Sequence, residues 1–339
     1  MTTSHHMKQQ LEAAHTIAIF GHQSIDGDAL GAMYGLGLQL EKQGKQISYF
    51  TPNEPSPLFT FLGVKDLQFT FDYGEYDVLI FVDFTEYSRI ATFTSGFENY
   101  FDKQQKIIID HHLFDGDVPN ATIYRDTVAM STCELIFELT SEWRKQGENA
   151  TSQFMDASIA TFLYMGIVSD SGNFRHDEKH QTLRLMNDAL GTIKQGADKQ
   201  AVINNLFRNK SFEDLQFMQR ILGRLQKDDD IVYSRYGKQE LADFGLHRDS
   251  ADYALYLMVD VREAQLILLG KELDDGVRFS IRGKGKYNCR ALAMEFGGGG
   301  HFNAAGCTVS FEGNLETTVL HFVQQIKKLI TTDKKFSSK

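Results

Sequence analysis

Between His22 and Asp28 the chain sets one imidazole and two carboxylates, Asp26 and Asp28, in the stretch GHQSIDGDALGA. They come directly after the apolar run TIAIF, Thr16–Phe20. Packing has no use for such a cluster, but a cation does. Two more apolar runs end the same way. VLIFV runs into Asp83, and KIII runs into Asp110, His111 and His112. A further acid, Asp170, follows the apolar stretch DASIATFLYMGIV. His22, Asp26, Asp28, Asp83, His111 and Asp170 together are four carboxylates and two imidazoles. One ion with an open water position takes fewer ligands; the set suits two divalent ions with one carboxylate bridging them. The mixed donors favour Mn²⁺ over Mg²⁺, with Co²⁺, Zn²⁺ and Fe²⁺ as alternatives. Two ions about 3.5–4 Å apart can lower the pKa of a water and stabilise both oxygens of an in-line displacement at phosphorus. One Asp at a strand end reads most simply as a helix cap or a solvated charge. Several such clusters in one alternating stretch do not.

These side chains can meet only if the segments before them are neighbours. VLIFV and KIII lack polar alternation, as do strands buried on both faces of a parallel sheet. Ile47–Phe50 and Ala121–Tyr124 are further strand candidates. Between the strands, Leu30, Met33, Tyr34, Gly37 and Leu38 keep helical spacing. Ser131 and Glu134 open STCELIFELTSEW as a capping box. The alternation predicts a doubly wound α/β domain with a parallel sheet. Ligands in such sheets bind at the carboxyl ends of the strands, near the switch in strand order. Gly27 allows a tight turn there. Asp26 must precede the helix, because positions i and i+2 on a helix diverge.

Helices are then predicted over Phe154–Val168, His180–Lys194, Lys199–Phe207 and Phe212–Gln226. After Asp228, strands are predicted at IVYSRY, YALYLMVDV, AQLILLG and VRFSIRG, followed by a Gly-rich loop and a helix over Thr317–Ile330. This is a second, smaller α/β domain. The division expected is 1–193 for the catalytic domain, 194–228 for a helical linker and 229–339 for the second domain, with the active site in the cleft between the two domains.

Bulk properties narrow the function. The net charge of −10 argues against a grip on long duplex nucleic acid and allows a short anionic ligand held locally. Cys133, Cys289 and Cys307 are scattered and odd in number, which argues against a disulfide framework and for a reducing, cytoplasmic setting. The N-terminus lacks the apolar core of a signal peptide. No apolar run reaches the roughly 18 residues of a membrane span, so no membrane partner is expected.

In the second half, Gly297–Gly300 precede His301. Successive glycine N–H groups, Gly298, Gly299 and Gly300 among them, can form an anion nest, and His301 adds a donor. Asn303 and the small residues after it allow close approach. Arg282, at the end of VRFSI, is placed to fork onto phosphate. Lys284 and Lys286 read equally well as solvated charges. A cleft of this kind accepts a chain end and limits substrate to a few nucleotides.

HQSIDGD, VDFTEYSR, IDHH and VSDSGNF, in that order, resemble the four motifs of the DHH phosphoesterase superfamily. FSIRGKGKYN and FGGGGHFNAAG resemble its associated nucleotide-binding domain. The likeness spans roughly residues 15–310. It implies that His22, Asp26 and Asp83 hold one ion, that Asp28, Asp83, His111 and Asp170 hold the other, and that Asp83 bridges. It also implies that His112 faces the substrate phosphate and that Asp110 supports the histidines. The division of roles between His111 and His112 rests on the resemblance alone. The short two-domain oligoribonucleases are the subgroup most similar. This implies hydrolysis of very short RNA to mononucleotides and of adenosine 3′,5′-bisphosphate. The partners implied are short single-stranded RNA or DNA, or a nucleotide 3′-phosphate. Some relatives cleave cyclic dinucleotides. A homodimer is left open. Gly283 stands where the family usually has Ser, and Ala32 where Ser or Thr is common. A manganese inorganic pyrophosphatase is a rival reading, although the chain lacks the Ser-Arg-Lys-Lys element of those enzymes. A metal-dependent nucleotide sensor is the non-catalytic rival.

Overall fold

The computed structural model describes residues 2–84, 87–112, 118–146, 155–175, 182–246, 250–300 and 302–336. The chain divides into two compact units, Met1–Asn209 and Lys210–Lys339.

In the first unit six strands form one sheet: β1 (Thr16–Phe20), β2 (Gln46–Phe50), β3 (Leu67–Gln68), β4 (Val78–Val82), β5 (Lys106–Asp110) and β6 (Ala121–Arg125). Their order is β3-β2-β1-β4-β5-β6, and every pairing is parallel. The chain runs outward from β1 through β2 to β3, then returns to the other side of β1 at β4. That reversal is the switch point of a doubly wound sheet. β4 and β5 are buried along their whole length, which is why their sequences show no alternation. One face of the sheet carries α1 (Thr3–Ala13), α2 (Gly27–Lys42), α5 (Thr132–Gln146), α6 (Ala157–Asp170), α7 (Thr182–Lys194) and α8 (Lys199–Phe207), with Ile17, Ile19, Ile80, Ile107, Leu30 and Leu163 in the core beneath them. The other face carries the short α3 (Ala91–Thr94) and α4 (Glu98–Lys103) over an aromatic core. There Phe20 stacks on Phe81 with centroids 5.0 Å apart. Burying each such ring stabilises the fold by about 1.5–3 kcal/mol. Phe154 and His180, the first residues of two predicted helices, lie outside the described residues.

The second unit has a mixed sheet: β7 (Gln226–Asp228), β8 (Ile231–Tyr236), β9 (Leu266–Glu272), β10 (Gly276–Gly283), β11 (Gly299–Gly300) and β12 (Ala304–Ser310), ordered β11-β12-β10-β9-β8-β7. Only β8 and β9 run parallel. Side chains alternate across it. Ile231, Leu266 and Leu268 face α12 (Cys289–Met294) and α13 (Leu315–Thr332), while Val232 and Ile267 face α9 (Phe212–Gly223), α10 (Lys238–Asp243) and α11 (Ser250–Val259). The segment 194–228 divides between the units, α8 lying in the first and α9 in the second.

Two predicted elements differ. YALYLMVDV is not a strand; most of it lies in α11. Ala251, Ala254, Leu255 and Met258 are the buried apolar residues there, spaced i, i+3, i+4, i+7, whereas Tyr256 and Leu257 are exposed. The apolar run hides a helical period because its exposed side is also apolar. The helix from Phe212 stops at Gly223, and Gln226–Asp228 pairs as an edge strand instead.

Candidate dimetal site

The parallel sheet brings the chemistry-bearing residues to one rim. His22 follows β1 by two residues, Asp83 follows β4 directly, and Asp110 ends β5 with His111 and His112 beyond it. Asp26 is the N-cap of α2, and its Oδ1 accepts from the backbone N–H groups of Asp28 (3.1 Å) and Ala29 (3.0 Å). Its other oxygen, Oδ2, lies 3.8 Å from His22 Nε2. Asp28 sits in the first turn of α2, so a cap and a first-turn residue reach one place without both being helical. Asp170 is the last residue of α6.

Asp83 is the centre of the arrangement. Its Oδ2 lies 3.1 Å from His22 Nε2. Its Oδ1 lies 3.5 Å from His111 Nε2 and 3.2 Å from His112 Nδ1. His111 Nε2 is also 3.5 Å from Asp170 Oδ2 and 3.9 Å from Asp28 Oδ2. Donor atoms of His22, Asp26 and Asp83 lie within 4.8 Å of one another, as do those of Asp28, His111 and Asp170. All six residues singled out in the sequence therefore meet, in two groups with Asp83 between them. Hard carboxylate oxygens mixed with imidazole nitrogens fit a pair of divalent transition ions. Asp83 holds φ at 54°, in the left-handed region that Asp tolerates at a cost of about 1 kcal/mol or more.

His112, beside Asp83, also pairs with Asp110. Asp110 Oδ1 accepts from the His112 backbone N–H at 3.1 Å and lies 2.9 Å from His112 Nδ1. Arg125 Nε lies 3.5 Å from the other Asp110 oxygen.

The sequence reading missed the shell around these groups. Thr132 and Cys133, at the start of α5, donate backbone N–H bonds to Asp28 Oδ2 (2.6 Å) and Oδ1 (2.9 Å). The Thr132 hydroxyl lies 3.3 Å from Asp83 Oδ1. The Ala129 carbonyl is 3.3 Å from His111 Nδ1, which leaves Nε2 directed at the carboxylates. Arg89 places Nη2 3.1 Å from His22 Nε2. Ser131 does cap this helix, its Oγ accepting from the Glu134 N–H at 3.0 Å, but the Glu134 carboxylate accepts from the Met130 N–H at 2.8 Å instead of returning to Ser131, so only half of the expected capping box forms. What that helix start touches is a long-range fact. Gly166 shows how closely α6 approaches it: a Cβ there would lie 2.2 Å from Cys133 Sγ and 2.9 Å from Asp28 Oδ1.

Taken as bare side chains, the groups perturb one another strongly. Burial, then the charges of Asp83 and Asp170, pushes Asp28 up to about 8. Burial alone would raise Asp83, but hydrogen bonds from His111, His112 and His22 hold it well below the ordinary carboxylate range. Burial would lower His111 and His112, yet hydrogen bonds to Asp83 and Asp110 outweigh it and raise them to about 9 and about 10. Asp28 thus tends to keep a proton beside its ionised neighbours, as carboxylates do when like charges share a site. Divalent cations remove that conflict.

In the second unit, Arg282 lies on β10, opposite Ala304 of β12 and Ile267 of β9. The glycine run is not wholly a loop. Gly299 and Gly300 form the edge strand β11, paired with Gly306 and Ala305. Gly300 has φ of 138°, and a Cβ on Gly298 would lie 2.2 Å from the Gly306 carbonyl oxygen. Only glycine fits those positions. Asn303 adjoins β12, and its carbonyl accepts from Gly283 N–H at 2.8 Å. His301 lies outside the described residues. Lys284 and Lys286 are both engaged, by the Val261 carbonyl and by Asp230 respectively. Gly283 has a local reason: a Cβ there would lie 2.8 Å from Cys289 Sγ.

Residues 16–167 match the DHH family, N-terminal domain, and residues 228–328 match the DHHA1 domain. The chain thus carries a DHH family N-terminal domain and a C-terminal DHHA1 domain, and it is a hydrolase of phosphoric esters in a metal-dependent class. It is 25% identical to a bifunctional oligoribonuclease and PAP phosphatase NrnA of Mycoplasma genitalium over 324 residues, 91% of this chain and 93% of that one. A Thermus thermophilus protein of the same name is 27% identical over 86% of this chain and 84% of its own. Among solved structures, an exopolyphosphatase-related protein from Bacteroides fragilis superposes with a TM-score of 0.83 at 25% identity, covering 96% of each chain.

Proposed function

We propose that the protein is a two-ion phosphodiesterase that hydrolyses short oligoribonucleotides to mononucleotides and removes the 3′-phosphate of adenosine 3′,5′-bisphosphate. The observation that carries this reading is Asp83, whose two oxygens face two separate donor groups. His22, Asp26 and Asp83 would hold one ion, and Asp28, Asp83, His111 and Asp170 the other, with Mn²⁺ preferred. The ions, when bound, supply Lewis acidity at the phosphoryl group and a nucleophilic water at neutral pH. The protein's part is to orient and to balance charge. Asp110 holds His112 through Nδ1 and, together with Asp83, raises its pKa against the effect of burial, which favours an imidazolium that would donate to a phosphoryl oxygen. Arg282, Asn303, His301 and the glycines Gly298, Gly299 and Gly300 would hold the rest of the nucleotide and restrict substrate to short chains. Three buried free thiols support a reducing, cytoplasmic setting.

The test is a panel with Mn²⁺: RNAs of two to seven nucleotides, the bisphosphate, a cyclic dinucleotide and pyrophosphate, with products quantified. Mononucleotides from the short RNAs and AMP from the bisphosphate are expected. Pyrophosphate or the cyclic dinucleotide as the only substrate would overturn the assignment. Asp83→Ala should abolish turnover, since both donor groups lose a member. Dinucleotide hydrolysis by that variant at the wild-type rate would refute the two-ion reading.

A further inference from the structure

We propose that Thr132 is a positioning residue, whose hydroxyl fixes the rotation of the Asp83 carboxylate so that each oxygen meets its own ion. This rests on the two-ion reading above and adds a residue to it. A carboxylate that bridges two ions must hold both oxygens in place at once, within about 10–20°. Rotation about the Cβ–Cγ bond of Asp83 would move Oδ2 away from His22 and Oδ1 away from His111 together. Oδ1 faces three groups, His112 Nδ1 at 3.2 Å, the Thr132 hydroxyl at 3.3 Å and His111 Nε2 at 3.5 Å, and an ion held there would leave it one lone pair, for which the hydroxyl is placed. Thr132 is a sound anchor. It is fully buried and opens α5 after the cap Ser131, and its branched Cβ restricts χ1 to two favoured wells. Its backbone is tied in turn, since its N–H and that of Cys133 grip both oxygens of Asp28. The turn before it touches His111 through the Ala129 carbonyl. One helix start therefore reaches three of the six donors, and Thr132 is the residue in it that reaches by a side-chain hydroxyl.

The substitutions separate hydroxyl from shape. Thr132→Val keeps the volume, the branching and the backbone N–H and removes only the hydroxyl. Thr132→Ser keeps the hydroxyl and removes the methyl. Mn²⁺ binding is measured by titration calorimetry, and the exchange-coupled signal of the ion pair by electron paramagnetic resonance, alongside kcat, KM and the thermal midpoint. Losses of outer-shell partners weaken metal binding about 10–100-fold. Thr132→Val should show a loss of that order, a diminished coupled signal and a lower kcat with KM little changed. Thr132→Ser should stay within a few-fold of wild type in all of them. A packing role would reverse this order, with Val near wild type and Ser impaired, and would overturn the proposal. So would equal Mn²⁺ affinity and coupling in wild type and Thr132→Val. Wild-type protein that binds no coupled pair would instead overturn the two-ion reading itself.

Discussion

At the scale of residues, the site is a group of acids that would repel one another if they were alone. Asp28 sits near 8 as a bare side chain and His111 near 9, so at pH 7 both hold protons that cations must displace. The sign follows directly. Both folded-state pKa values lie above 7, so Mn²⁺ affinity should rise as pH climbs from 7 to 9, and binding at pH 7 should release protons. Titration calorimetry in two buffers of different ionisation enthalpy measures that release; identical observed enthalpies in both would contradict it. The six donor residues that the fold gathers were legible because chemistry selects residue types. No packing argument places Asp, His and His directly after a buried strand. Their supports were not legible. Thr132 and Arg89 are ordinary in type, and only distance marks them.

At the scale of elements, strands and helix starts do the positioning. β1, β4 and β5 end on one side of the sheet because parallel strands share a direction. Behind α5 lies a second charged network. Arg184 bridges Glu138, Asp126 and Glu134 at 2.6–3.1 Å. Asp188 lies beside it, and burial, then the charges of Glu138 and Glu134, raises it to about 7. An acid whose folded pKa exceeds its unfolded value near 3.8 opposes folding increasingly from pH 4 to 7 and fully above that. Asp188→Asn should therefore raise the thermal midpoint at pH 8 and leave it unchanged at pH 4. A drop at pH 8 would show that the carboxylate is needed there in its charged form. The error at α11 belongs to this scale too. Tyr256 and Leu257 are apolar yet exposed, so the alternation expected of a strand and the period of a helix looked alike.

At the scale of the molecule, a chain of net charge −10 must hold its anionic substrate locally. Arg282 stands on a strand of the second unit, beside residues where only glycine fits. Arg282→Ala should raise KM for a dinucleotide about 10-fold or more, the size expected for one charge-assisted contact, with a smaller change in kcat. The salt dependence of KM should correspond to only one or two phosphate contacts, far below that of proteins that bind long duplexes. An unchanged KM would remove Arg282 from substrate binding. Among the described residues, no helix is long and apolar enough to cross a membrane. The α/β alternation, the six donors and the glycines at 298 and 300 follow from local rules, because period, residue type and backbone freedom are written along the chain. That Asp83 turns its two oxygens to different partners, and that a helix start a hundred residues from Asp28 holds its carboxylate, follows from folding alone. Contacts between distant segments leave no period or composition for a reader of the chain to find.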